Sequence, residues 1–93
     1  MSEVKEVRID FSTFLMSMAS SAYCMLGLAP NPLTQKVEKN LVTAKQQIDL
    51  LELMKEKTKG NLTKDEESLL DNMLYHLHMT YVNEVKRDEE KKS

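Results

Sequence analysis

Lys59-Gly60-Asn61-Leu62-Thr63-Lys64-Asp65-Glu66 ends one helix and begins another within a few residues. Gly60 can adopt the left-handed backbone that closes a helix C-terminus without a Cβ clash. Lys55, Lys57 and Lys59 place positive charge on the last turn before it, at the negative end of the helix dipole. Thr63 and Glu66 have capping-box spacing, in which each side chain accepts the other residue's unpaired backbone N–H. Asp65, Glu66 and Glu67 then place negative charge on the first turn of the next helix. The segment therefore predicts an antiparallel helical hairpin.

The second helix of the chain lies on the N-terminal side of this junction, at about residues 41–59 with Asn40 as its cap. Leu41, Ala44, Ile48, Leu51 and Met54 make an apolar stripe at helical spacing, widened by Leu50 and Leu53. Lys45, Asp49, Glu52, Glu56 and Lys59 form the solvated side. The third helix follows Thr63 and runs to about Lys86. Its stripe is Leu70, Leu74, Leu77 and Tyr81, with Leu69 and Met73 beside it, while Tyr75, Met79 and Val82 fall on a different face. At 1.5 Å per residue it is ~36 Å long, against ~24 Å for the first helix, so its C-terminal turns outrun their internal cover.

Asp10 caps that first helix, expected at about residues 11–26. Phe11, Leu15, Met18, Ala22 and Met25 occupy one side, and Phe14, Met16, Ala19, Tyr23 and Leu26 spread over the rest. A helix apolar on most sides is enclosed by partners. The small residues Ser17, Ser20, Ser21 and Ala22 would let another helix approach closely. Gly27 is the expected C-cap, with Leu28 folding back. Pro30-Asn31-Pro32 keeps the following connection out of helix, and Lys36-Val37-Glu38-Lys39 is its exposed part.

Ninety-three residues make one small domain, for which association is a common source of stability. We divide it into a flexible arm at 1–9, a helical domain at 10–86 and a charged, disordered tail at 87–93. Two glycines, two prolines and 5% aromatic residues argue against a many-stranded sheet and leave Leu and Met to build the core. Thirteen basic and fifteen acidic residues give a net charge of −2, with no field that points to nucleic acid or an anionic membrane. Phe11 to Gln35 carries no charge, but its serines, Gly27, Pro30 and Pro32 make it a buried helix rather than a membrane span. Glu3, Glu6 and Asp10 spoil the basic start of a signal peptide. Cys24 is the only cysteine, which suits a reducing cytoplasm.

Candidate chemistry is sparse. His76 and His78 stand two apart, so their rings project about 200° apart around a helix, unlike metal ligands at i, i+4. Cys24 lacks a CxxC partner and reads as a buried structural thiol. Asp65, Glu66, Glu67 and Asp71 are accounted for by capping and the dipole rather than by acid–base catalysis. Asn61-Leu62-Thr63 is a chance sequon inside a cap. Lys55, Lys57, Lys59 and Lys64 cluster at the hairpin tip as candidate anion contacts, diluted by Glu56, Asp65 and Glu66. Met16, Met18, Met25, Met54, Met73 and Met79 suit both core filling and adaptable surfaces. Nothing here specifies an enzyme, a metal or a cofactor.

Asp10-Phe11-Ser12-Thr13-Phe14-Leu15, Leu26-Gly27-Leu28-Ala29-Pro30-Asn31-Pro32, Ile48-Asp49-Leu50-Leu51 and Lys57-Thr58-Lys59-Gly60-Asn61-Leu62-Thr63, followed by Leu70, Leu74, Leu77 and Tyr81-Val82, resemble the bacterial "domain of unknown function 1844" family over roughly residues 9 to 83. Members of that family often carry Gly where Gln35 stands and Arg where His78 stands. The resemblance implies a small, soluble, helical bacterial protein and supplies no activity, substrate or catalytic residue.

The expectation is an all-α protein of three main helices, a hairpin of helices 2 and 3 plus an apolar N-terminal helix, completed as a bundle by dimerisation. Its expected role is self-association or binding of another protein, with Phe14, Met16, Met18, Tyr75, Met79, Tyr81 and Val82 as candidate interface residues. The alternatives are a nucleic-acid-associated factor using the lysine-rich tip and a peripheral membrane protein inserting helix 1.

Overall fold

In the computed structural model, which describes residues 10–92, three helices follow one another: α1 (Phe11–Met25), α2 (Leu41–Lys57) and α3 (Lys64–Lys92). The proposed arm at residues 1–9 and the terminal Ser93 lie outside the described residues. Each helix begins where a side chain is available to cap it. Asp10 Oδ1 accepts the Thr13 N–H at 2.8 Å, and Asn40 Oδ1 accepts the Thr43 N–H at 3.1 Å. At the start of α3 the capping box is closed in both directions. Glu66 N–H donates to Thr63 Oγ1 at 3.1 Å, and Thr63 N–H donates to Glu66 Oε1 at 2.9 Å.

The helix ends are set by backbone geometry. After α1, Gly27 has φ of 83°. Leu28 N–H reaches Tyr23 O and Gly27 N–H reaches Cys24 O, both at 3.1 Å, the pair of bonds that defines a Schellman cap. α2 stops at Lys57, two residues before the expected end. There Thr58 turns its hydroxyl onto Met54 O at 2.6 Å, and a tight turn follows, closed by Asn61 N–H to Thr58 O at 2.9 Å. Gly60 occupies the third position of that turn at φ of 86°, the left-handed region.

The antiparallel hairpin is visible in its cross-links. Lys55 pairs with Asp71 at 2.7 Å and His78 with Glu52 at 2.5 Å, so α2 descends as α3 rises. α1 runs antiparallel to α2, since Asn40 N–H donates to Met25 O at 2.7 Å and Gln47 Nε2 donates to Ser21 Oγ at 2.9 Å. All three helices contribute to one core: Leu15, Ala19, Ala22 and Leu26 with Ala44, Ile48 and Leu51, and with Leu70, Met73, Leu74 and Leu77. Each large side chain in that core adds about 1.5–3 kcal/mol of apolar transfer free energy.

Three expectations are corrected. Ser17, Ser20 and Ser21 do not form the packed strip of α1. Ala19 and Ala22 do, because they share the arc of Leu15 and Leu26; the serines are exposed, with Ser21 at the edge of the contact, where its Oγ accepts from Gln47. Leu50 and Leu53 do not widen the buried stripe of α2. They project well away from Ile48 and Leu51 around the helix and are 50% and 48% exposed. Finally, α3 continues through Lys92, beyond the expected end at about Lys86. Arg87 pairs with Glu84 at 3.1 Å, and Lys39 crosses from the loop to reach Glu84 at 2.8 Å and Asp88 at 2.7 Å. These contacts support the last turns.

The connection between α1 and α2 is organised around Asn31. Its backbone exchanges bonds with the loop, Asn31 N–H to Lys36 O at 2.8 Å and Gln35 N–H to Asn31 O at 2.7 Å. Its side chain accepts Leu33 N–H at 2.8 Å and donates to Glu38 at 3.3 Å. The price of this tight path is Gln35, a non-glycine residue at φ of 59°.

Candidate functional site

The face of α3 turned away from the core carries Tyr75, Met79 and Val82 at i, i+4 and i+7, so the three side chains stand one above another. They are 61%, 50% and 49% exposed. Asp71 precedes this stripe by one turn and Lys86 follows it by one turn, both exposed. Beside Tyr75 lies a groove of about 870 Å³ between α2 and α3, with Leu53, Leu62, Leu74 and Tyr75 as its apolar lining. Leu50 stands one turn from Leu53 on the same helix, so the apolar surface extends from α3 onto α2.

Charge borders this surface. Asp49, Glu52, Glu56, Glu67 and Asp71 line the groove, against Lys55, Lys59 and His78. The Asp71 carboxylate accepts a hydrogen bond from Lys55 and holds the ammonium above the usual lysine range. Lys45, one turn before Asp49, is likewise pushed up by the Asp49 carboxylate. The surface therefore offers apolar contact framed by net negative charge at its hairpin end.

The structure sorts the expected interface residues. Tyr75, Met79 and Val82 form one stripe. Met18 and Tyr81 are half-buried and pack against the core. Phe14 is 39% exposed and Met16 55% exposed, but two residues apart on α1 they face different ways and cannot share a surface. Met16 instead borders a separate depression of about 500 Å³ with Cys24 and Pro32. Leu50 and Leu53, expected to widen the buried stripe of α2, belong instead to the candidate surface. Strict helical register from Ile48 would have separated them.

The four lysines of the hairpin tip are all exposed, but only Lys55 and Lys59 line the groove, where five carboxylates accompany them. His76 lies edge-on to Tyr75 with ring centroids 5.5 Å apart, while His78 turns to Glu52. Cys24 is half-buried, its Sγ 3.6 Å from Pro30 O. Among the described residues no group of three or more His, Cys, Asp or Glu side chains could hold a metal ion, and no helix is long and apolar enough to cross a membrane.

A second charged cluster, absent from the sequence reading, lies at the other end of α3. Glu84 is 6% exposed and is held by Lys39 and Arg87. The Lys39 hydrogen bond keeps the Glu84 carboxyl below its ordinary range, and Asp88 together with Glu84 pushes Lys39 up. Lys39 and Glu84 are 45 positions apart, and no local pattern couples them.

No curated protein and no solved structure matches the chain. Residues 8–83 match the family model described as Domain of unknown function (DUF1844). The match covers α1, α2, both connections and α3 as far as Asn83, and the chain belongs to that family.

Proposed function

We propose that this protein is a self-association module, in which the outer surface of α2 and α3 docks on a second copy of the chain. The observation that carries the reading is the stripe of Tyr75, Met79 and Val82, each about half exposed or more, in the middle of the longest helix. With Leu50 and Leu53 it leaves roughly 500 Å² of apolar residues in solvent, at the upper end of what a monomer usually displays. A polar rim brings such a patch near the ~800 Å² per partner of a standard interface. The ends of the stripe, Asp71 and Lys86, have opposite signs, which gives a copy of the same surface something to pair with.

The lone Cys24 suits the reducing cytoplasm, where we place the protein. The reading assigns no reaction to it. The lysine-rich tip is a weaker basis for nucleic-acid binding, since two of its four lysines stand among five carboxylates. Light scattering of the 10.7 kDa chain at micromolar concentration tests the proposal. A mass of about twice the chain supports it. A monomer at every concentration rejects it.

A further inference from the structure

Resting on that self-association reading, we infer that two copies pair through α3 in antiparallel orientation, about a two-fold axis between His78 and Met79. In such a pairing each residue before the axis meets one equally far beyond it. One axis position sets Tyr75 of one copy against Val82 of the other, and the same position sets Asp71 against Lys86. Met79, half a residue from the axis, falls opposite His78 and within about 1.5 Å of axial rise of its own counterpart, so the two methionines stand side by side across the axis. The five exposed residues of the stripe are thus complementary to their own reversed order: acid to base, ring to branched aliphatic, methionine to methionine.

Two further observations favour this arrangement. α3 spans Lys64 to Lys92, and its midpoint is His78, so an axis beside that residue overlaps the two helices along nearly their whole length. A parallel pairing would place Asp71 on Asp71 and Lys86 on Lys86, with like charges in contact. Leu53 lines the groove next to Tyr75, so it faces the segment of the second copy that begins at Val82. The carboxylates of Glu67 and Asp71 on the groove wall then stand near the Lys86 end of that segment.

The test uses the full chain with Cys24→Ser as background, so that no native thiol competes. Met79→Cys in that background is oxidised under mild conditions, with Met16→Cys on α1 as the control. The arrangement predicts a covalent dimer from Met79→Cys and none from Met16→Cys. Asp71→Lys and Lys86→Asp are each expected to weaken dimerisation by on the order of tenfold, and the double variant to recover most of the loss. Circular dichroism checks that each variant stays helical. Lys86→Asp is the more decisive single change, because Asp71 also pairs with Lys55 within the chain. A dimer by light scattering whose Met79→Cys form fails to cross-link, or whose double variant is no tighter than either single one, overturns this geometry while self-association stands. A monomer by light scattering overturns both.

Discussion

Gln35 holds a backbone conformation that a side chain disfavours. Its φ of 59° lies in the left-handed region, where glycine sits without a Cβ penalty. Gln35→Gly is expected to stabilise the fold by about 1 kcal/mol, raising Tm by about 4–8 °C in thermal denaturation. An unchanged or lowered Tm would mean that the Gln35 side chain makes a compensating contact. Gly27 is the converse case. It has φ of 83°, and a Cβ there would lie 3.2 Å from Lys39 Cγ. Gly27→Ala should therefore destabilise by about 1–2 kcal/mol, through backbone strain and by displacing the Lys39 stem. Gly60→Ala incurs only the strain, since nothing lies within 4 Å of its added Cβ. A chemical-denaturation comparison that found Gly60→Ala the more damaging would contradict this ranking.

At the scale of elements, the caps were readable because each is a local event. Asp10, Asn40 and the Thr63–Glu66 box act over three residues, and helix starts follow from them. Helix ends were less legible. α2 ends at the tight turn from Thr58 to Asn61, with Gly60 in the left-handed region, and the last turns of α3 are held by a residue from a distant loop. That contact makes a pH prediction. The native Glu84 carboxyl titrates below its ordinary value of ~4.3, because Lys39 hydrogen-bonds its charged form. Its contribution to stability is therefore fully present above that ordinary value and is lost as pH falls through the lowered native one. Lys39 has the opposite sign. Its contribution holds below the ordinary lysine value of ~10.4 and is lost as pH rises through the raised native one. Urea denaturation between pH 3 and 7 should show wild type losing more stability on acidification than Glu84→Gln. Equal acid limbs for the two proteins would remove the Lys39–Glu84 pair from the account.

For the whole molecule, helix periodicity was enough to place α1, α2 and α3 around one core, and Leu15, Ile48, Leu51, Leu70 and Leu77 are fully buried in it. Leu77→Ala should cost about 2–5 kcal/mol, a large share of what a domain of this size holds, and should be visible as a lowered urea midpoint. The candidate surface was legible only in part. The separate face of Tyr75, Met79 and Val82 follows from spacing alone, but its joining to Leu53 depends on how α2 and α3 pack across the groove. Helix 1, uncharged and apolar on most sides, pointed elsewhere: its core arc is covered within the chain, and Phe14 and Met16 diverge around it. The described residues thus form a three-helix unit whose longest element leaves an apolar stripe in solvent. Sedimentation of the unmodified chain over a dilution series, beside Met79→Glu, tests that reading most directly. The account predicts a dimer that dissociates on dilution and a folded, monomeric Met79→Glu. A wild-type chain that sediments as a monomer throughout, or a Met79→Glu dimer as tight as wild type, would contradict it.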